Sequence, residues 1–434
     1  MLLKHLMNNY RCNMKRIRLF NAKILDVEKL EISDGEIVVE DNKIVYVGSN
    51  LCQLECDEQI DCEGNLLMPG FKNAHSHSAM TFLRSYCDDV SLHDWLFNNV
   101  FPLENKLTGE DVYYLTKLAV LEYLSSGITS IMDMYLFPFD AAKAYVEMNY
   151  RSVITGCLDY YSSSVDDMKK MFNEMNQIDS LITYKLGFHS VYTISEDVLK
   201  NISVVSSNLK EPIFTHLCET EKEVNDCVLA HGCTPVKYLE NLGLLNYGGG
   251  FYHCIYLNDE DINIFKKHNL SAISCPASNS KLVSGIADLI ALKDNKITIG
   301  IGTDGAASNN SLDMFKEMLL LSVLQKLKHN DPIAIKAEEI IQYATINNAK
   351  IMGLNNCCNL KPGQLADIIM IDLSKPSMRP INNIISNLVY AGSKDIIKMT
   401  MVNGKILYKD NQFLFDDVKM IYDKCQQIIE RMKK

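Results

Sequence analysis

The sequence has no excess of positive charge and no long apolar run. Its 434 residues include 43 Lys and Arg against 54 Asp and Glu, which gives a formal net charge of −11. Because proteins that bind the phosphates of nucleic acids need clustered Lys and Arg, this excess of negative charge argues against nucleic acid as a partner. No apolar run approaches the ~20 residues that a membrane-spanning helix requires. We therefore expect no membrane partner either.

The fourteen cysteines show no pairing pattern. The closest groups, at positions 52 to 62 and 357 to 358, lack the paired C-x-x-C spacing of zinc ribbons. The N-terminal stretch MLLKHLMNNYRCN is too polar for a secretory leader. These features predict free thiols and a cytoplasmic protein. A first strand follows Met14, so we expect residues 1–13 to be an upstream extension, and whether they belong to the native protein stays open.

Short apolar runs rich in β-forming residues alternate with longer amphipathic stretches between residues 60 and 350. This alternation is typical of repeated βα units around a parallel sheet. Eight such units predict an α/β fold, a (β/α)8 TIM-like barrel. The predicted strands lie in NLLMPGFKNAH, ITSIMDMY, RSVITGCLDY, YKLGFHS, PIFTHLCE, GFYHCIYL, LSAISCPAS and ITIGIGTDG.

The two flanks of the chain differ from its centre. Residues 16–67 and 355–410 are rich in alternating strands with turn signals, for example ISDGEIVVEDNKIVYVGS and MTMVNGKILYKDNQ. We therefore predict a small composite β-domain formed from both chain ends. The predicted divisions are 14–67 for its N-terminal part, 68–354 for the barrel, and 355–434 for its C-terminal part with a terminal helix.

Histidines gather at the ends of the predicted barrel strands, where catalytic side chains of such barrels lie. The strand-end residues are His75 and His77 on strand 1, His189 on strand 4, His216 on strand 5, His253 on strand 6 and Asp304 on strand 8. Imidazole and carboxylate groups suit one divalent metal ion, Zn²⁺ first and Fe²⁺ as the alternative. We predict His75, His77, His216 and Asp304 as its ligands.

This pattern, His-x-His after strand 1 followed by strand-end His and Asp residues, resembles the amidohydrolase superfamily. The stretches PGFKNAHSHSAMTFLR, DWLFNNVFPLENKLT, HLCET, CPASNSKLVSGIA and GTDGAASNNSLDMFKEM are similar to motifs of its 5-methylthioadenosine/S-adenosylhomocysteine deaminase family. The resemblance covers nearly the whole chain. It implies a hydrolytic deaminase that converts the adenine ring of a small nucleoside to hypoxanthine and releases ammonia.

The resemblance also implies roles for single residues. Glu219 would contact the purine and act as proton shuttle, His253 would orient the attacking hydroxide, and Asp304 would take the proton of the metal-bound water. Glu104 would accept hydrogen bonds from ribose hydroxyls, or else it is a carboxylate at a helix N-terminus. His189 would contact substrate.

Trp95 lies in the loop after strand 1. It would either cover the nucleoside or anchor the loop to the barrel, and the sequence leaves both interpretations open.

The loop after strand 3 departs from the family pattern. Members that act on S-adenosylhomocysteine carry arginines there, whereas this sequence has Gly156 and the polar run 162–164, with Arg151 at the start of the strand. We therefore expect 5′-methylthioadenosine or adenosine to be preferred over S-adenosylhomocysteine.

Two other interpretations remain possible from the sequence. A hydrolase of another aminated ring, such as guanine, a pterin or a triazine, would share the barrel, the metal and Glu219. A non-catalytic scaffold would lack metal, which the intact ligand set argues against. Enzymes of this family commonly associate, so we expect a homo-oligomer.

Overall fold

The structure, a computed structural model, describes residues 15–90, 94–158 and 164–433. Within these residues eight parallel strands form one curved sheet in sequence order. The strands are β6 (Phe71–Ser76), β7 (Ile128–Met134), β8 (Arg151–Thr155), β9 (Ile182–Gly187), β10 (Ile213–Leu217), β11 (Gly249–His253), β12 (Ser271–Ser274) and β13 (Thr298–Ile301). The predicted (β/α)8 barrel is confirmed.

The barrel strands are short and buried on both faces, as expected for a parallel sheet covered by helices. β7, for example, is buried at every position. The helices of the chain are α1 (Phe101–Glu104), α2 (Gly109–Ser125), α3 (Pro138–Glu147), α4 (Val165–Met175), α5 (Glu196–Leu209), α6 (Glu221–His231), α7 (Pro235–Asn241), α8 (Asp259–Lys267), α9 (Pro276–Lys281), α10 (Leu289–Asp294), α11 (Ala306–Asn309), α12 (Met314–His329), α13 (Ala337–Gln342), α14 (Asn348–Met352), α15 (Ile384–Tyr390) and α16 (Val418–Met432).

Capping boxes start three of these helices. The N-cap side chain accepts from the backbone of the third helical residue, whose carboxylate accepts in return from the N-cap amide. The pairs are Thr108 with Asp111 for α2, Ser164 with Asp167 for α4, and Asn258 with Asp261 for α8. Each box fixes the point at which the chain leaves a loop and enters its helix.

A second sheet, built from both ends of the chain, packs beside the barrel. Its strands are β1 (Arg16–Asp26), β2 (Glu31–Glu40), β3 (Lys43–Gly48), β4 (Glu58–Asp61), β5 (Leu66–Pro69), β14 (Ile368–Ile371), β15 (Ile397–Val402), β16 (Lys405–Lys409) and β17 (Gln412–Phe413). β5 pairs with β1 and with β14, so it joins the two chain ends in one sheet. The predicted composite β-structure is confirmed, whereas the numerical domain limits stay a prediction. Met14 and residues 1–13 lie outside the described residues.

The first predicted strand, NLLMPGFKNAH, is two strands in the structure. β5 belongs to the composite sheet and β6 to the barrel, and the chain passes between them at Gly70. A Cβ at position 70 would lie 2.1 Å from Cγ2 of Thr129 on β7. Only glycine therefore lets the backbone pass this close to the neighbouring strand.

The barrel closes between β6 and β13 through their carboxyl ends. Asp304 donates its backbone N–H to the His75 carbonyl over 3.0 Å. Below that bond the Asn73 side chain accepts from the Thr303 backbone amide at 3.0 Å and donates to the Thr303 hydroxyl at 2.7 Å. The first and last barrel strands, more than 200 residues apart in the chain, are therefore held in one register.

The opposite end of the barrel is joined to the composite sheet by buried charges. The Arg151 guanidinium donates to both carboxylate oxygens of Asp367, over 2.7 and 3.1 Å, and Lys72 Nζ lies 3.8 Å from the same carboxylate. Asp367 also accepts from the backbone amide of Asn403 at 2.8 Å.

Among the described residues, all cysteines are free thiols and no helix is both long and apolar enough to cross a membrane.

Candidate active site

A cleft at the carboxyl ends of the barrel strands brings the predicted site residues together. Its lining includes the side chains of His77, Trp95, Glu104, His189, His216, Glu219, His253 and Asp304. His75 lies beneath the lining with none of its surface exposed. Strand ends of a parallel barrel meet at one rim, so residues far apart in sequence share this space.

The predicted metal ligands converge on one point. Asp304 Oδ1 lies 3.6 Å from His75 Nε2 and 3.4 Å from His77 Nε2, and His216 Nε2 lies 3.3 Å from His77 Nε2. His75 and His77 are two residues apart at the end of β6, so they extend to the same side of the strand. His253 also comes within 4.8 Å of His75 and His216, although we did not predict it as a ligand.

Hydrogen bonds on the far ring nitrogen orient two of these imidazoles. Nδ1 of His77 meets the Met134 carbonyl at 2.5 Å, and Nδ1 of His216 meets the His189 carbonyl at 2.7 Å. Since a carbonyl oxygen can only accept, each Nδ1 carries a proton, and Nε2 is the ring nitrogen left to meet a ligand in the cleft. Burial lowers the pKa of His216 well below its ordinary value, which keeps the ring neutral.

His75 is the best test of whether the site fits a metal. Both of its ring nitrogens are buried and find no hydrogen-bond partner among the described residues. The ring stacks on Tyr252 with centroids 3.7 Å apart, and burial lowers the pKa of His75 to about 3. A buried polar atom without a partner is costly. A divalent cation at the shared point would satisfy Nε2, so the donor set fits such an ion.

Asp304 is held as an ionised carboxylate. Its Oδ2 accepts from the hydroxyls of Ser278 and Ser308 at 2.6 and 2.9 Å, and its Oδ1 accepts from the Gly305 amide at 2.7 Å. Burial alone would raise the pKa of Asp304, but its contacts with the neighbouring imidazoles of His75 and His77 outweigh burial and hold the pKa well below its ordinary value. The group can act as a ligand and as a proton acceptor beside it.

Glu219 and His253 form a second pair beside the ligand cluster. Glu219 Oε2 lies 3.9 Å from His253 Nε2, and both side chains are buried. Burial raises the pKa of Glu219. Burial would lower the pKa of His253, yet the charges of Glu219 and Asp304 outweigh it and the pKa is raised. A carboxyl group with a raised pKa is suited to give and take a proton near neutral pH.

The outer wall of the cleft carries the remaining predicted residues. Glu104 ends α1 and faces Tyr135, whose pKa is raised well above its ordinary value, first by burial and then by the Glu104 charge. The N-terminus of α2 is capped by Thr108 with its capping box, and Glu104 precedes this N-cap by four residues. Trp95 is only 6% exposed and packs against the main core while lining the cleft.

His189 also lines the cleft. Burial lowers the pKa of His189 to about 3, and its Nδ1 lies 3.2 Å from the Thr193 hydroxyl. Its backbone carbonyl also accepts from His216, so the residue supports a predicted ligand besides lining the cleft.

Several residues that shape the site were missed from the sequence. Ser278 and Ser308 bind Asp304, and Asn279 Oδ1 meets His253 Nδ1 at 2.7 Å. All three lie in stretches that carry the family resemblance, CPASNSK and GTDGAASNN. The sequence was enough to recognise these stretches. It did not show which atoms their side chains contact.

The loop after β8 contains no arginine in its described part. Gly156, Cys157, Leu158 and Ser164 follow the strand, and positions 162 and 163 of the predicted polar run lie outside the described residues. Arg151 is at the opposite end of β8, engaged with the composite sheet. Its guanidinium is therefore remote from the cleft.

Known proteins similar to this chain were found by sequence and by structure. A model described as the amidohydrolase family matches residues 66–407. A 5-methylthioadenosine/S-adenosylhomocysteine deaminase of Pyrococcus furiosus is 36% identical over 417 residues, covering 94% of this chain and 99% of the relative. A 5′-deoxyadenosine deaminase of Methanobrevibacter smithii is 34% identical over 430 residues, covering 96% and 98%.

Solved structures agree on the architecture. An adenosine deaminase from Xanthomonas campestris with bound zinc superposes with a TM-score of 0.91 at 27% identity, covering 97% of this chain and 98% of that one. A triazine hydrolase from Arthrobacter aurescens superposes with a TM-score of 0.88 at 19% identity, covering 96% and 99%, a similarity that extends to the fold alone.

Proposed function

This chain belongs to the amidohydrolase family, in the branch of the 5-methylthioadenosine/S-adenosylhomocysteine deaminases, and from that membership we propose that it is a metal-dependent hydrolytic deaminase of adenine nucleosides. One observation carries the proposal. A cluster of imidazoles and an ionised carboxylate that fits a metal lies directly beside a buried carboxyl group with a raised pKa. Hydrolysis of an aminated ring needs this combination, a water activated at one side and a proton donor at the other.

The ligand set we propose is His75, His77, His216 and Asp304. Zn²⁺ is the proposed ion, because imidazole nitrogens with one carboxylate suit it and a related adenosine deaminase was crystallised with zinc. Such an ion supplies Lewis acidity that lowers the pKa of a bound water from 15.7 to about 7. Elemental analysis of protein expressed with both metals supplied would decide between zinc and iron.

Side chains of the protein carry out the proton transfers. Asp304 accepts the proton that the attacking water loses, and His253 donates a hydrogen bond that orients the water oxygen. Glu219 gives a proton to the ring nitrogen beside the carbon that carries the amine. A bond forms between oxygen and that carbon, and the carbon–nitrogen bond breaks when the amine gains the proton held by Asp304 and leaves as ammonia. The hydroxyl proton of the intermediate returns to Glu219 as the ring carbonyl forms. The product is the hypoxanthine nucleoside.

The substrate we propose is a small adenine nucleoside, 5′-methylthioadenosine or adenosine. Glu104 and His189 contact it from the cleft wall, with Glu104 accepting from the ribose hydroxyls and Trp95 covering the ring. S-adenosylhomocysteine is a poorer substrate in this proposal, because the described part of the loop after β8 offers no guanidinium to its amino acid carboxylate and Arg151 is engaged elsewhere.

A spectrophotometric deamination assay tests the proposal directly. Zinc-loaded protein is given 5′-methylthioadenosine, adenosine, S-adenosylhomocysteine and guanine, alongside Glu219→Gln and the exposed neighbour Glu221→Gln as matched control. We expect turnover of the first two nucleosides, about a 10²- to 10⁴-fold loss in Glu219→Gln, and no comparable loss in the control. Turnover of guanine alone, or full activity of Glu219→Gln, would refute the proposal.

A further inference from the structure

The helix that follows Glu219 begins in an unusual way. Its N-cap is Thr220, whose hydroxyl accepts from the backbone N–H of Glu223 at 3.1 Å. In the three capping boxes of this barrel, the carboxylate of the third helical residue accepts in return from the N-cap amide. Glu223 occupies that third position in α6, but its carboxylate does not return to the Thr220 amide.

The Glu223 carboxylate instead reaches past the N-cap to the two residues before it. Oε1 accepts from the Cys218 amide at 2.9 Å, and Oε2 accepts from the Glu219 amide at 2.8 Å. A glutamate at this position can also return to the N-cap amide, as Glu339 of α13 does to the Lys336 amide at 2.9 Å, so side-chain length alone does not divert Glu223. Both carboxylate oxygens of Glu223, which is 4% exposed, thus accept hydrogen bonds from the backbone that carries Glu219.

That backbone needs support because its conformation is unfavourable. Cys218 has φ of +53°, in the left-handed region that non-glycine residues rarely adopt. The Cys218 carbonyl accepts from the amides of Ile255 and Tyr256, both at 3.0 Å. Hydrogen bonds therefore hold the turn after β10 on both sides. Glu223 binds its amides, and the turn after β11, which follows His253, binds the Cys218 carbonyl.

We propose that Glu223 is the positioning residue for the proton shuttle: its carboxylate fixes the Cys218–Glu219 backbone so that the Glu219 side chain points at His253 and the cleft. The inference rests on the role proposed above for Glu219. Glu223 itself touches neither substrate nor metal in this arrangement. A carboxylate is required because it offers two acceptors, whereas a carboxamide would turn an N–H₂ group toward one of the two amides.

Three variants separate positioning from ordinary capping. Glu223→Gln keeps the length but loses one acceptor. Glu223→Asp restores the usual capping box with Thr220 but is too short for the two preceding amides. Asp261→Asn is the matched control, since Asp261 is equally buried, caps α8 in the next βα unit and does not line the cleft.

We expect kcat on 5′-methylthioadenosine to fall about 10-fold to 100-fold in both Glu223 variants, with KM within about threefold and full metal content. Asp261→Asn should change kcat less than about twofold, even where it lowers the melting temperature as much. In a Glu219→Gln background, Glu223→Gln should cause no further loss, because it acts through Glu219. Wild-type kcat in Glu223→Asp would show an ordinary cap and overturn the inference.

A second measurement does not depend on turnover. Hydrogen exchange of a peptide spanning residues 216–222 should be faster in Glu223→Gln than in wild type and unchanged in Asp261→Asn. Unchanged exchange in Glu223→Gln would overturn the inference, whatever the kinetics. If the wild-type protein deaminates no adenine nucleoside, the proposed function falls, while exchange still decides whether Glu223 holds this backbone.

Discussion

Replacement of Arg151 by methionine should destabilise the protein strongly and leave its chemistry intact. Arg151 is 3% exposed and makes two hydrogen bonds to Asp367, at 2.7 and 3.1 Å. Burial opposes the charge of both groups, yet the Arg151 and Lys72 charges outweigh it and lower the pKa of Asp367. The substitution therefore leaves an ionised carboxylate buried with fewer partners.

The loss of one partner of a buried ion pair typically costs about 3 to 5 kcal/mol. We expect the lower end, about 3 kcal/mol, because Lys72 Nζ remains 3.8 Å from Asp367 and the Asn403 amide still donates to it. Urea denaturation followed by circular dichroism measures the free energy of unfolding. The control is Lys185→Met, which removes a pair with Glu211 at a partly exposed site and should cost less than about 1 kcal/mol.

Kinetics provide the other half of this test. Arg151 lies at the amino end of β8, and the cleft lies at the carboxyl end, so kcat and the ratio of 5′-methylthioadenosine to S-adenosylhomocysteine turnover should stay unchanged. A loss of stability below about 1 kcal/mol would refute the account of the buried pair. A selective loss of S-adenosylhomocysteine turnover would show that Arg151 serves the substrate after all.

Three further predictions concern the metal, the core and acid stability. Dialysis against a strong chelator should abolish deamination and lower the melting temperature, and zinc should restore both; full activity without metal would contradict the site. Tyr145→Phe removes the 2.7 Å hydrogen bond to buried Asp133, so urea denaturation should show a loss of about 1 to 3 kcal/mol, and an unchanged midpoint would argue against that bond. Glu240 has its pKa lowered to about 2 by hydrogen bonds from Lys237 and Lys267, so its contribution is present above pH ~4.5 and lost as pH falls toward 2. Glu240→Gln should therefore be less stable by about 1 kcal/mol at pH 7 and equally stable near pH 2, which thermal melts across pH would check; a pH-independent difference would contradict the assignment.

The sequence predicted the barrel and the convergence of its histidines for a local reason. Strand and helix periodicities depend only on residues close together in the sequence, so each βα unit could be recognised without knowing the rest of the fold. Because the carboxyl ends of all barrel strands meet at one rim, naming the strand ends was enough to bring His75, His216 and Asp304 together. The roles given to these residues remain proposals for the assays above.

Other features depended on partners that no local pattern identifies. The first predicted strand splits at Gly70, where the backbone passes close to the Thr129 side chain, and the partner of Arg151 lies 216 residues away. The Ser278 hydroxyl reaches Asp304 only because β12 and β13 pair side by side in the barrel. In the sequence Glu223 resembles an ordinary helix-capping acid. Only the structure shows that its carboxylate accepts from the two amides that precede the N-cap.

The sequence by itself therefore determined which elements form and which residues reach the rim. The tertiary structure decided which atoms meet there, because hydrogen bonds and ion pairs form over about 3 Å and depend on register, closure and side-chain length. A periodic pattern fixes the face of a strand or helix on which a residue lies. It does not fix the distance between two side chains that the barrel brings together only when it closes.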